Sequence, residues 1–123
     1  MSRILVVDDE EQVRSMLKDS LEEAGFEVET APDGTKATGL FHENSFDLMI
    51  TDMIMPNKDG LDTIMEIRRN FPEVKIIAIS GGDNTPPQDY LDLANEFGAD
   101  LALSKPFRLE ELTGAIRGLL GEK

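Results

Sequence analysis

RILVVDDEEQVRSMLKDSLEEAG, residues 3–25, joins an uninterrupted apolar run to an amphipathic segment that ends at a glycine. The apolar run is rich in β-branched residues, which is typical of a strand buried on both faces. In the segment that follows, Val13, Leu17 and Leu21 recur at helical spacing, and Gly25 ends the helix. This stretch therefore predicts one strand–helix unit.

The same pattern recurs along the rest of the chain. The predicted strands cover residues 3–8, 26–30, 46–51, 74–80 and 101–104. The predicted helices cover residues 11–24, 34–43, 60–70, 87–97 and 108–120. Strict alternation of buried strands and amphipathic helices indicates an α/β fold with a parallel sheet and helices on both faces. Five strands are too few for an eight-stranded barrel, so we expect one doubly wound domain over residues 1–123.

Composition and charge exclude several classes of protein. The chain has no cysteine, which excludes disulfides and thiolate metal sites. Its net charge of −13 opposes direct binding to nucleic acid, because that binding depends on Lys and Arg residues that neutralise phosphates. No apolar run approaches the ~20 residues of a membrane span, and no signal peptide opens the sequence. We therefore expect a cytoplasmic protein with no membrane partner.

Charged and hydroxyl residues lie at the ends of four of the five predicted strands. The first strand ends in Asp8 and Asp9, the third in Asp52 and the fourth in Ser80, and the fifth runs into Lys105. In an open α/β sheet these positions share the edge at which ligands bind. Each residue alone also fits an ordinary cap or turn, but their convergence favours a site.

The residue types at this edge indicate phosphoryl chemistry. Clustered carboxylates repel one another and so take up a proton or bind a cation, and hard oxygen ligands suit Mg²⁺. A lysine and a hydroxyl on the same edge suit the oxygens of a transferring phosphoryl group. A metal-bound carboxylate nucleophile beside these groups therefore predicts aspartyl phosphate chemistry at this edge.

Four motifs, in order, give the chain a resemblance to a known family. They are VVDDE (6–10), DMIMPNKDG (52–60), AIS (78–80) and GADLALSKPF (98–107). In these motifs the sequence resembles the receiver domains of two-component response regulators over nearly its whole length. The resemblance implies a flavodoxin-like (βα)5 fold with strand order 2-1-3-4-5.

The resemblance also implies a role for each residue at the predicted edge. It makes Asp52 the phosphoacceptor and, with Asp9 and the backbone carbonyl of Ile54, a direct ligand of Mg²⁺. Asp8 would bond to the cation largely through metal-bound water.

The remaining implied roles belong to the fourth and fifth strands. Ser80 would be the switch hydroxyl, and Lys105 would contact a phosphoryl oxygen and precede a cis peptide bond to Pro106. Ala102 departs from the family pattern, because many receivers carry an aromatic residue there that moves with the switch hydroxyl. The Gly- and Pro-rich loop 81–88 is also longer than usual, so we expect it to carry much of the conformational response.

We therefore expect a phosphorylation-dependent switch rather than an enzyme. It would accept a phosphoryl group from a histidine kinase or a histidine phosphotransfer protein. It would then change the surface formed by the fourth helix, fifth strand and fifth helix, signal to an output domain or protein, and slowly dephosphorylate itself. The alternative is a degenerate receiver that docks without phosphorylation. The sequence leaves open a stand-alone regulator or a receiver within a larger protein, and a monomer or a phosphorylation-dependent dimer.

Overall fold

A computed structural model describes most of the chain. The described residues are 2–53, 60–80, 96, 98–104 and 107–121, and for Leu61 and Ser80 the description covers the backbone only. Ile54, Lys105, the 105–106 peptide bond, the loop 81–88 and nearly all of the predicted helix 87–97 lie outside these residues. The predictions made for them therefore stay predictions.

Strands and helices alternate as predicted up to the fourth strand, and the last helix follows the fifth strand; the helix predicted between the fourth and fifth strands lies almost wholly outside the described residues. The strands are β1 (Arg3–Val7), β2 (Glu27–Ala31), β3 (Leu48–Asp52), β4 (Lys75–Ser80) and β5 (Leu101–Ser104). The helices are α1 (Glu11–Glu23), α2 (Gly34–Glu43), α3 (Gly60–Asn70) and α4 (Leu109–Leu120). Among these described helices, none combines the length and the apolar composition that a membrane crossing requires.

The five strands form one parallel sheet in the order β2-β1-β3-β4-β5, which confirms the predicted fold. A parallel sheet of this kind is covered on both faces, and each face carries its own apolar layer. The layer beneath α2 and α3 includes Leu5, Met49 and Ile64, all fully buried. The opposite layer, beneath α1 and α4, includes Ile50 and Leu112.

The third strand occupies a different range from the one the apolar run predicts. Phe46 lies before β3 and is buried against Phe41, with the ring centroids 5.0 Å apart. At the other end, the strand extends to Asp52, whose backbone pairs with Ile79 of β4. The first residue of the apolar run, Phe46, therefore packs in the core before the strand begins. The strand itself includes a charged residue at its end, Asp52.

Candidate functional site

The register of the sheet places Asp8 and Asp52 next to each other. Val7 pairs with Thr51 between β1 and β3, so the residues that follow them, Asp8 and Asp52, lie at the same edge of the sheet. Neighbouring strands lie about 4.8 Å apart. Asp52 is half-buried and Asp8 is buried. The predicted convergence of these two strand ends is confirmed.

The fourth and fifth strands end at the same edge. Asp52 pairs with Ile79, which places the backbone of Ser80 one residue further along β4. Ser80 in turn pairs with Ser104, the residue before Lys105 in the sequence. The backbone thus brings the ends of β3, β4 and β5 together, as the sequence predicts.

Asp8 is part of a turn that connects β1 to α1. Its side chain is almost inaccessible, with the residue 3% exposed. Its Oδ1 accepts a hydrogen bond from the backbone N–H of Glu10 at 2.9 Å, and its own N–H donates to the carbonyl of Ala31 at 3.1 Å. Carboxylates favour turns because they can accept such a bond from the backbone two residues on. This turn fixes Asp8 at the edge of the sheet.

Asp8, Asp9 and Glu10 form an acidic cluster. Within the described residues, Asp8 (buried), Asp9 and Glu10 (both exposed) each place one carboxylate oxygen so that the three oxygens lie within 4.8 Å of one another. Two unit charges 4 Å apart repel by about 4 kcal/mol at an effective dielectric of 20. The donor set of carboxylate oxygens, without sulfur or imidazole, fits a hard cation such as Mg²⁺.

Glu10 is a member of this cluster that the sequence reasoning missed. The run Asp8-Asp9-Glu10 is visible in the sequence, but consecutive residues are ordinarily read as pointing in different directions. The turn at Asp8 brings the third carboxylate back towards the first two. Asp52 lies at the neighbouring strand end, and its role as a ligand stays a prediction.

The backbone of Asp52 lies against the start of α3. The N–H of Gly60 donates to the carbonyl of Met53 at 2.9 Å, and the N–H of Met53 donates to the carbonyl of Ile79 at 3.0 Å. A Cβ atom on Gly60 would overlap the carbonyl oxygen of Asp52 and would lie 2.6 Å from Cα of Met53. Only glycine allows α3 to begin this close to the strand that carries Asp52.

Ala102 occupies the position in β5 at which the resemblance leads one to expect an aromatic side chain. It pairs with Ala78 of β4 and packs against the apolar layer beneath α2 and α3. The position where many receivers carry an aromatic side chain therefore holds a small residue, next to a second small residue in the neighbouring strand.

A model of the response regulator receiver domain matches residues 4–117 of the chain. Among curated proteins, the transcriptional regulatory protein CpxR of Klebsiella pneumoniae is 39% identical over 122 residues. That match covers 98% of this chain and 50% of the relative. The chain thus spans about half the length of the curated relatives it matches.

Solved structures give the same likeness. The response regulator TrrA of Thermotoga maritima, in complex with Mg²⁺ and BeF, has a TM-score of 0.85 and 37% identity, over 97% of this chain and 99% of that one. The beryllofluoride-activated NtrC4 receiver domain dimer has a TM-score of 0.87 and 35% identity, over 98% of both chains.

Proposed function

Since the chain belongs to the family of response regulator receiver domains, we propose that it is a signalling switch that accepts a phosphoryl group on Asp52. We place this activity in a single receiver domain over residues 1–123. The phosphoryl donor is a histidine kinase or a histidine phosphotransfer protein. The product is an aspartyl phosphate that the protein slowly hydrolyses itself, without turning over a separate substrate.

The observation that carries the proposal is the pairing of Val7 with Thr51. It sets Asp52 beside Asp8, and Asp8 belongs to an acidic cluster that fits a divalent cation. Asp52 ends a central strand, where its own backbone pairs with Ile79 of β4 and the residue before it, Thr51, pairs with Val7 of β1. Rigid placement favours Asp52 over the many exposed acids of this chain as the acceptor, because a nucleophile must meet phosphorus in line.

In the proposed transfer, an Oδ atom of Asp52 bonds to phosphorus. The bond from phosphorus to the donor imidazole breaks, and the imidazole leaves with its electron pair. When bound, Mg²⁺ neutralises the charge on the phosphoryl oxygens. Asp9, Asp52 and the carbonyl of Ile54 would hold it directly, and Asp8 would do so through water.

Two further residues complete the proposed site. Lys105 would contact a phosphoryl oxygen as a point charge, and the Ser80 hydroxyl would donate to another. In the proposed hydrolysis, water attacks phosphorus, the bond from phosphorus to the Asp52 oxygen breaks, and inorganic phosphate and the free carboxylate are formed. TrrA, which resembles this chain over nearly its whole length, is known in complex with Mg²⁺ and BeF, and this supports the proposed cation.

We further propose that an output domain or a separate output protein responds to phosphorylation of this domain. Because the chain spans half of its curated relatives, an output domain or a separate output protein would respond to the surface formed by residues 87–97, β5 and α4. The NtrC4 receiver dimer supports phosphorylation-dependent dimerisation as one form of that response, with a monomer as the other.

Intact mass spectrometry tests the proposal. Incubation with Mg²⁺ and acetyl phosphate is expected to add about 80 Da, the mass of one phosphoryl group. The adduct should disappear in Asp52→Ala and when Mg²⁺ is chelated. Asp19→Asn, which removes an exposed carboxylate on α1, is the matched control and should be labelled like the wild type.

Two outcomes would contradict the proposal. A folded protein that takes no adduct from acetyl phosphate or from a phosphorylated histidine protein would support the docking module without phosphorylation. Continuous release of phosphate from a small phosphate ester would instead support an enzyme.

A further inference from the structure

Three hydrogen bonds from different parts of the chain hold Asp8. Its N–H donates to Ala31 of β2, and its Oδ1 accepts from the N–H of Glu10. Its carbonyl oxygen accepts from Nη1 of Arg14 at 2.8 Å. The first two bonds follow from the sheet and from the turn, whereas the third depends on one side chain.

Arg14 links this turn to the first helix. It lies in α1, where its N–H donates to the carbonyl of Glu10 at 3.0 Å, and its half-buried side chain reaches back six residues to Asp8. Hydrogen bonds from charged donors are stronger and more directional than those between neutral groups. Arg14 therefore fixes the carbonyl of Asp8 relative to the body of the helix.

A fixed carbonyl on Asp8 also orients Asp9. The peptide bond is planar, so the direction of the Asp8 carbonyl sets the direction of the N–H and Cα of the next residue. The carboxylates of Asp8, Asp9 and Glu10 repel one another, and this repulsion favours a turn that opens. The bond from Arg14 opposes that opening.

We propose that Arg14 is a positioning residue for the cation site. Its hydrogen bond holds the turn that carries Asp8 and Asp9, of which Asp9 would bind the cation directly and Asp8 through water. The identity of the cation as Mg²⁺ rests on the function proposed above, but the positioning does not.

The charge and the hydrogen bond of Arg14 act on cation affinity in opposite directions. As a positive charge near three carboxylates, Arg14 repels an incoming cation, so its removal alone would tighten binding. As a positioning residue it holds the ligands in place, so its removal would weaken binding. Partners behind metal ligands typically contribute about 10- to 100-fold in metal affinity. The sign of the change therefore distinguishes the two roles.

A titration with MgCl₂ at constant ionic strength, followed through the amide NMR signals of residues 8–10, measures this sign. We expect Arg14→Met to weaken Mg²⁺ binding about 10-fold. Arg14→Lys keeps the charge with a donor one bond shorter, and should bind with intermediate affinity. The matched control is Lys18→Met, which removes a positive charge one turn further along α1 and should bind like the wild type or slightly tighter.

Arg14→Gln is the second test, for the case in which Arg14→Met does not fold. The Gln amide ends two bonds short of the guanidinium nitrogen that reaches Asp8, so the same loss of affinity is expected. Unchanged or tighter binding in the folded uncharged variant would overturn the role of Arg14. Failure of the wild type itself to bind Mg²⁺ would instead overturn the proposed cofactor.

Discussion

At the scale of single residues, Gly60 shows how the site constrains the chain. Its position at the start of α3 is set by close approach to the backbone of Asp52 and Met53, and its side-chain space is already occupied. The backbone of the proposed phosphoacceptor therefore packs against the first residue of α3, where there is no space for a Cβ atom.

The first prediction is that Gly60→Ala destabilises the fold and slows phosphorylation. The new methyl group must displace the Asp52 carbonyl or α3, and overpacking of this kind typically costs about 1–3 kcal/mol. The displacement should also move Asp52 within the site, so labelling by acetyl phosphate should slow as well. Urea unfolding and the rate of adduct formation measure the two effects.

Gly39→Ala is the matched control for that substitution. Gly39 lies inside α2, and an added Cβ meets no atom within 4 Å. Alanine is the better helix former by about 1 kcal/mol, so this variant should be slightly more stable and should phosphorylate normally. Equal behaviour of the two alanine variants would show that the contact at Gly60 is unimportant.

At the scale of elements, Arg68 connects the end of α3 to the loops around β4 and β5. Its guanidinium donates five hydrogen bonds: two to the carbonyl of Gly98, one each to the carbonyls of Pro72 and Val74, and one to the Asp100 carboxylate at 2.6 Å. The Asp100 carboxylate also accepts from the backbone at the start of β4. This network lies at the end of the sheet opposite the site.

The second prediction is that Arg68→Met lowers the free energy of unfolding by about 3 kcal/mol, because it leaves several backbone carbonyls without a donor. Arg69→Met, at the exposed neighbouring position, should change it by less than about 0.5 kcal/mol. Chemical denaturation of both variants provides the comparison. A loss below about 1 kcal/mol in Arg68→Met would mean that the network is dispensable.

The helices and strands differ in how accurately the sequence predicts their bounds. The range 34–43 is recognisable because Ala37 and Phe41 lie one turn apart and both face the core. The start of β3 differs from the prediction, since hydrophobicity does not distinguish Phe46, which packs against Phe41 before the strand begins, from a strand residue. Pairing in a sheet depends on neighbours distant in sequence, and so Asp52 joins the ladder despite its charge.

The residues of the site also differ in how well the sequence predicts them. Asp8, Asp9 and Asp52 could be identified from the sequence because each follows an apolar run. Glu10 and Arg14 could not, since their contributions arise from a turn and from one hydrogen bond that spacing alone does not reveal.

At the scale of the whole molecule, the net charge of −13 makes the stability of the fold depend on the salt concentration. Like charges over one small domain repel, and this repulsion destabilises the compact state until salt screens it. Part of the repulsion is concentrated in the acidic cluster of Asp8, Asp9 and Glu10. A bound divalent cation would relieve the repulsion there specifically.

The third prediction is that NaCl and Mg²⁺ stabilise the fold in different ways, NaCl by general screening and Mg²⁺ by binding at the acidic cluster. NaCl should raise the melting temperature of the wild type and of Asp9→Asn alike, because screening does not depend on one carboxylate. Mg²⁺ at matched ionic strength should add about 1.4 kcal/mol at ten times its dissociation constant in the wild type, and much less in Asp9→Asn. Thermal unfolding in the two salts measures both effects, and equal stabilisation by Mg²⁺ in both proteins would place the cation elsewhere.

The central claim is that Asp52 accepts the phosphoryl group, and the most direct measurement locates the group within the chain. Borohydride reduces an aspartyl phosphate to homoserine, which peptide mass spectrometry assigns to a position. After incubation with Mg²⁺ and acetyl phosphate, we predict homoserine at position 52 and at no other acid. Homoserine at a different carboxylate, or none at any position in a protein that carries the adduct, would contradict the assignment.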